Sequence, residues 1–449
     1  RATEKSIDFN PSEKKGKKTK VIAASVIALV LILIGYLFIS RLIRHTEQLE
    51  KSIAVLPFYN NSSDEDTWYI NSMMREIINN LSAINELNVR PRSSVEIYKP
   101  SERPSIQQIR KDLNVNYIVE GDGQKIGNKI RLTIQLINAV KNQQIWDEPF
   151  EFEVENSTDL FIIQSRIARQ IADKLGAFIS PEEEQIVERI FTKNLEAYNY
   201  YQSAKDLVGR YPISSAFSLN PDVIATLEKA GSFLSKAIAK DPEFSEAYSG
   251  LARNLLTRSY GSYSYSGNIM DSSMMLNDLA LKYNPKNSEA LLNSCFINLI
   301  RGDLTRAFSE SEKAIEYNPN FCEVYNIRIQ FFFLTNPRYM DYVKALESEY
   351  KAISINGGKD LPELLRNLGS IYSMCGLEEK RMELVHQAFK LDGDSIKLLK
   401  ELSDHYYQIA DFEKSIEIDK QIILIDSMNF ETYQRLGQHY MWMKQYKES

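Results

Sequence analysis

Hydrophobic side chains follow three different patterns along this chain, and the first is a continuous apolar run. Residues 21–40 contain no charged side chain. Twenty helical residues at a rise of about 1.5 Å each span the hydrocarbon layer of a membrane, which is about 30 Å thick. A cleaved signal peptide is the alternative, but its apolar core is shorter, about 7 to 15 residues. The run therefore predicts an uncleaved transmembrane helix.

The charges on the two sides of this run predict its orientation. Five lysines lie within residues 14–20, whereas only Arg41, Arg44 and Lys51 follow on the other side. Cationic flanks are retained in the cytoplasm, so the amino terminus is expected there and the rest of the chain in the periplasm. A nucleic-acid-binding arm is the alternative role of the lysines. The predicted location is the inner (cytoplasmic) membrane, crossed once.

Residues 52–180 carry the second pattern, which is typical of a small α/β domain. A short apolar run at residues 52–58 predicts a buried strand. Apolar residues spaced three and four apart over residues 70–84 predict an amphipathic helix. Apolar and polar residues alternate on both sides of Gly127 and Asn128, and this pattern predicts a hairpin with these two residues as its turn.

The rest of this section completes a mixed sheet. Apolar and acidic residues alternate over residues 150–155 and predict a further strand. Ser157 or Thr158 is expected to cap the closing helix, whose apolar stripe runs from Leu160 to Phe178. The predicted order is β-α-β-α-β-β-β-α, a mixed sheet covered by helices.

This section resembles the TolB-like amino-terminal (FlgO-like) domain of bacterial regulators. The matching segments are SIAVLPFYNNSSD, SVEIYKPS, IRKDLNVNYIVEGDGQKIGNKIRLTIQLINA and QQIW. One departure is Asn71-Ser72, where an acidic residue followed by glycine is expected. The resemblance implies a sensing or binding module and no catalyst.

The third pattern, from about residue 195 to the end, is a repeat. Octapeptides beginning at Leu365, Leu399 and Tyr433 fit the pattern W-x2-L-G-x2-Y with substitutions, at a period of 34 residues. Second helices end on alanine followed by a proline or glycine breaker, as at Ala314 to Pro319. This section resembles tetratricopeptide repeats, which implies an all-α solenoid with a concave groove for a protein or peptide ligand.

The resemblance also implies which side chains point into that groove. They lie one and five places after the first anchor residue of each repeat. An acidic or carboxy-terminal segment of a partner is the expected ligand, because Arg366 and Lys400 are expected to lie close enough to share one carboxylate. An ordinary solvated helix face is the alternative. The predicted peptide-binding residues are Arg253, Asn326, Gln330, Arg366, Lys400, Asp404, Gln434 and Gln438.

Composition and charge exclude several other functions. A net charge of −6 gives the chain no overall attraction for nucleic acid. Three cysteines are widely spaced and four histidines stand alone, so no disulfide framework, metal site or cofactor is predicted. No paired carboxylates, nucleophile or phosphate loop is found, and we expect no enzyme activity.

Taken together, the patterns predict a multidomain chain. Its sections are a basic flank at 1–20, a transmembrane helix at 21–40, a linker at 41–51, the α/β domain at 52–180 and the repeat array at 181–449, with the last repeat truncated. The leading hypothesis is the extracytoplasmic sensor and interaction portion of a membrane-anchored bacterial transcriptional regulator, whose DNA-binding domain precedes residue 1. The alternatives are the sensor portion of a receptor-type nucleotide cyclase or kinase, and a membrane-tethered assembly scaffold. The oligomeric state is not predicted.

Overall fold

A computed structural model describes most of the chain after residue 48. The described residues are 49–62, 67–208, 221–261, 267–334, 342–356, 361–427 and 429–442. No helix in these ranges combines the length and apolar character needed to cross a membrane. The helix predicted at residues 21–40 lies outside them. The fold class is therefore corrected to an α/β domain followed by helical repeats, and the predicted single-pass location in the inner membrane has no support.

The α/β domain contains one mixed six-stranded sheet. Strand order is β3-β1-β4-β5-β6, with β2 paired to β4. The pairs β1/β3, β1/β4 and β2/β4 are parallel, and β4/β5 and β5/β6 are antiparallel. The strands are β1 Ser52–Val55, β2 Tyr59–Asn60, β3 Asn88–Val89, β4 Tyr117–Ile126, β5 Lys129–Asn138 and β6 Gln143–Glu153.

Helices lie between and after these strands. The predicted β4/β5 hairpin is confirmed, and Gly127 in its turn has a φ of 63°. The closing helix is also confirmed, but its cap is Asn156 and not Ser157 or Thr158, because the Asn156 side chain accepts from the Thr158 backbone. The helices are α1 Thr67–Ser82, α2 Arg92–Val95, α3 Ile106–Leu113, α4 Ser157–Lys174 and α5 Pro181–Val187.

The core of this domain lies between the sheet and helices α1 and α4. Alternate β5 residues, Ile130, Leu132, Ile134 and Leu136, are at most 1% exposed, as the alternation predicts. The sheet and α1 approach closely at Gly123, where an added Cβ atom would lie 2.5 Å from the Ile70 Cδ1 atom. A larger residue at position 123 would therefore force the Ile70 and Leu132 side chains to shift.

Pairs of helices follow, as the repeat predicts. The pairs are α6/α7, α8/α9, α10/α11, α12/α13, α14/α15 and α16/α17, and α18 is the first helix of a seventh unit. Their bounds are α6 Leu195–Val208, α7 Pro221–Lys240, α8 Ser245–Gly261, α9 Gly267–Tyr283, α10 Ser288–Arg301, α11 Leu304–Tyr317, α12 Cys322–Leu334, α13 Tyr342–Ile355, α14 Leu361–Met374, α15 Glu378–Asp392, α16 Ser395–Gln408, α17 Phe412–Ile425 and α18 Phe430–Trp442.

The α/β domain and the first repeat share one hydrophobic core. Buried residues from Ile53 through Ala247 form a single cluster. The Phe161 ring of α4 lies 4.9 Å from the Tyr198 ring of α6 and 5.0 Å from the Phe191 ring, measured between centroids. The two predicted sections are therefore joined without a flexible boundary at this point.

Candidate protein-interaction surface

Ion pairs identify the concave side of the array. Lys205 on α6 pairs with Glu289 on α10 at 3.1 Å, and Arg253 on α8 pairs with Glu323 on α12 at 2.7 Å. Each pair passes over one complete repeat. Side chains can meet across an intervening repeat only where the curvature of the array brings them together. The first helices of these four repeats therefore line the inner side of the curve.

In this half of the array the inner face is closed by its own side chains. The Arg253 residue is 8% exposed, and Glu289 accepts a hydrogen bond from the Ser249 hydroxyl at 3.1 Å. Burial would raise the pKa of Glu289, but Lys205 and Arg253 hold it below its ordinary value. Arg253, which was predicted to bind a ligand, is thus buried and paired with a carboxylate of the protein itself.

The next two predicted residues lie on α12. Asn326 is half-buried, and its buried Oδ1 atom has no hydrogen-bond partner within the described ranges. Gln330 lies on the same helix, but its side chain is outside the described residues. This helix therefore adds one unsatisfied acceptor to the inner side.

Arg366 and Lys400 do not use the same carboxylate. Arg366 is 5% exposed and pairs with Asp392 at 2.7 Å. Lys400 pairs with Glu431 on the next first helix at 2.5 Å. Arg366 instead shares the Glu363 carboxylate with Lys397, and both cations lie 3.6 Å from it. Sequence reasoning missed Lys397, because it lies one turn before the expected position.

The first helices of the last repeats leave a polar surface open. Glu431 and Asp404 have side chains that are 73% and 50% exposed, and Gln434 and Gln438 are exposed. Lys400 lies beside them with 26% of its side chain accessible. We call this set the carboxy-terminal inner face; it consists of Lys397, Lys400, Asp404, Glu431, Gln434 and Gln438.

A buried charged cluster fixes α18 and thereby this face. Asp419 on α17 is fully buried and accepts hydrogen bonds from Arg435 at 2.6 Å and from the Ser403 hydroxyl at 2.8 Å. His439 lies 3.2 Å from the same carboxylate through Nδ1. Burial would raise the pKa of Asp419, but the bonds from His439 and Arg435 keep it below its ordinary value.

This cluster does not form a catalytic triad. Ser415 and Asp419 both approach the Nδ1 atom of His439, at 3.1 and 3.2 Å. A catalytic histidine uses one ring nitrogen for the carboxylate and the other for the nucleophile. The arrangement instead holds three helices together through a polar core.

A second buried acid lies in α13. Glu349 is fully buried, and neither of its carboxyl oxygens has a hydrogen-bond partner among the residues that the structure describes. Burial raises its pKa to about 8. Its carboxyl group therefore holds a proton to higher pH than an exposed glutamate does.

The repeat array also forms hydrogen bonds with the α/β domain, at strand β3. Asn320, in the turn between α11 and α12, accepts from the Val89 backbone N–H at 3.1 Å. Its amide nitrogen donates to the Ser82 and Leu87 carbonyl oxygens, both at 3.0 Å. The Asn320 side chain thus bonds the free edge of the sheet as another strand would.

Arg90, directly after β3, joins two helix ends. Its Nε atom donates to the Leu113 carbonyl at 2.6 Å and its Nη2 atom to the Asn114 carbonyl at 2.5 Å, at the end of α3. Its Nη1 atom donates to the Ser354 and Ile355 carbonyls at the end of α13, the latter at 3.0 Å. Helix carboxyl ends favour a cation. Arg90 is 2% exposed, so this bond network is buried.

These observations define a class of protein. The described part of the chain is a tetratricopeptide-like repeat array with an α/β domain docked on its first four repeats. Residues 49–170 match the family described as HilA/YgeH-like transcriptional regulator, second domain. That match covers the sheet and its helices up to most of α4.

A curated relative matches a larger part of the chain. "Putative adenylate cyclase 3" of Rhizobium meliloti (strain 1021) is 27% identical over 215 residues, which is 47% of this chain and 36% of the relative. The chain thus covers about a third of the length of that protein.

Solved structures with similar helical arrays include three of different origin. A tetratricopeptide protein of Thermus thermophilus shares 17% identity, with 42% of this chain and 99% of that chain covered and a TM-score of 0.35. The Cut9-Hcn1 hetero-tetramer of the APC/C shares 12% identity, with 84% of this chain and 64% of that chain covered and a TM-score of 0.42. YrrB, described as having an unusual peptide-binding site, shares 18%, with 49% and 97% covered and a TM-score of 0.30.

Proposed function

We propose that this chain is the sensor and protein-interaction portion of a bacterial transcriptional regulator. The match of residues 49–170 to the second domain of HilA/YgeH-like regulators carries the proposal. The TolB-like resemblance of the same section and the open carboxy-terminal inner face support it. DNA binding is assigned to another domain of the regulator. The two described domains bind partners and catalyse no reaction.

The carboxy-terminal inner face is the proposed partner site. Its side chains are two amides, two carboxylates and two lysines, which can bond the backbone and charged groups of an extended peptide. The inner face of the first four repeats is less available, because the side chains of its Arg253 and Glu289 are only 10% and 15% exposed. The partner is therefore a protein segment with polar and charged side chains.

The second candidate function is the sensor portion of a nucleotide cyclase. The relative described as a putative adenylate cyclase favours it, since the match covers nearly half of this chain. The proposed binding role of the two described domains is the same in both cases. The two candidates differ only in the output of the whole protein, which is DNA binding for the regulator and cyclic nucleotide synthesis for the cyclase.

One experiment in the source bacterium separates the two outputs. The protein carries an epitope tag, and chromatin immunoprecipitation is combined with cyclic nucleotide assays in a deletion strain. We expect enrichment of a small set of promoters and no change in cyclic nucleotide. Loss of cyclic AMP on deletion, with no promoter enriched, would replace the regulator by the cyclase sensor.

A further inference from the structure

The α/β domain contacts the array at two distant places. At one end α4 shares the apolar core of α6, in the first repeat. At the other end, β3 bonds Asn320 in the turn before the fourth repeat, and Arg90 bonds Ser354 and Ile355 at the end of α13, the second helix of that repeat. The domain therefore extends from the first repeat to the end of the fourth.

Polar contacts reinforce both attachments. Arg75 on α1 pairs with Asp206 on α6. The Ser94 hydroxyl donates to the Asn356 Oδ1 atom at 2.6 Å, next to the end of α13. Asn356 is 2% exposed, so this contact is inside the junction.

The curvature of a repeat array follows from a small rotation at each interface between neighbouring repeats, so a change at several interfaces alters the overall curve. A rigid body attached to the first and fourth repeats fixes the distance between them. We propose that the α/β domain is a brace that locks the curvature of the first four repeats and leaves the fifth, sixth and seventh units free to adapt. Two ion pairs that pass over one repeat lie within this braced section. They are Lys205 with Glu289 and Arg253 with Glu323.

The brace makes the α/β domain and the first four repeats one rigid unit. Any partner that changes the curvature of the braced section must strain the bonds of Arg90 and Asn320. A partner on the carboxy-terminal inner face meets no such resistance, since no bond in the described ranges ties that face to the sheet. The inference concerns the array itself and does not depend on the regulator or cyclase output.

Distance measurements between spin labels test the brace in the full chain. Labels at Ser232→Cys on α7 and Glu347→Cys on α13 report on the braced section; both positions are exposed. A second pair, Gln387→Cys on α15 and Glu417→Cys on α17, reports on the free section. Exposed Cys375 is replaced by serine, whereas Cys295 and Cys322 are buried and remain.

We expect a narrow distance distribution for the first pair. Arg90→Met should broaden it about twofold or more, and should leave the second pair unchanged. Asn320→Ala combined with Ser94→Ala provides a milder release if Arg90→Met loses helical content by circular dichroism. An unchanged first distribution in a folded variant of either kind would overturn the brace.

Discussion

Replacing Arg90 by methionine should lower the free energy of unfolding by about 2 to 4 kcal/mol, because carbonyl groups at two helix ends lose the hydrogen bonds that the buried guanidinium donates. Methionine fills a similar volume but donates no hydrogen bond. The Leu113 and Ile355 carbonyls at two helix ends are the groups most affected. Total stabilities of about 5 to 15 kcal/mol are usual, so the loss is large.

Arg131→Met is the matched control. The Arg131 side chain is 63% exposed on β5 and pairs with Glu151 at 2.6 Å, also at the surface. Exposed pairs contribute about 0 to 1 kcal/mol. Urea unfolding followed by circular dichroism gives both values. Equal midpoints for the two variants would show that Arg90 does not join the domains.

The second large effect is expected at Gly369 on α14. An added Cβ atom there would lie 3.2 Å from the Arg381 Cγ atom and 3.4 Å from the Arg381 carbonyl oxygen. Arg381 is 3% exposed and bonds Glu401 at 2.5 Å and Glu378 at 2.8 Å. Gly369→Leu must therefore displace a buried, paired arginine, at a cost of about 3 kcal/mol.

Gly437 occupies the same place in the seventh unit and provides the control. Among the described residues, and apart from its own helix backbone, no atom lies within 4 Å of an added Cβ atom at Gly437. Gly437→Leu should leave stability unchanged or raise it by up to about 0.8 kcal/mol, since leucine favours helix. Hydrogen exchange should show the loss for Gly369→Leu across α14, α15 and their neighbours. Protection that is equal in the two variants would contradict the register of the repeats.

Periodic features of this fold could be predicted from the sequence. Alternation along β5 places Ile130 and Leu136 in the core because side chains of a strand alternate between two faces. Spacing of three and four residues predicts α1 and α4. The period of 34 residues predicts the helix pairs, since each repeat must bury the same face against its neighbours.

Features that depend on single residues could not be predicted. The bond between Asn320 and Val89 joins positions 231 apart, and neither residue belongs to a periodic pattern. Three neighbouring residues could cap α4, and only the backbone geometry selects Asn156. An arginine placed directly between a buried strand and Pro91 is the signal that could have drawn attention to Arg90.

The predicted groove residues show the limit of reasoning from repeat position. Position in the repeat places Arg253 and Arg366 on the first helices, as expected. Whether such a side chain is free depends on local curvature and on acids from other repeats. Arg253 meets Glu323 two repeats away, and this contact has no signature in the sequence.

Site-specific photocrosslinking in living cells tests the proposed partner site most directly. A benzophenone amino acid replaces Gln434, on the carboxy-terminal inner face, and in a second strain Glu417, which is exposed on α17. The account predicts a discrete covalent adduct from position 434, absent at position 417 and lost when Lys397 and Lys400 are changed to alanine. Adducts of equal yield from both positions, or none from position 434, would contradict a partner site on this face.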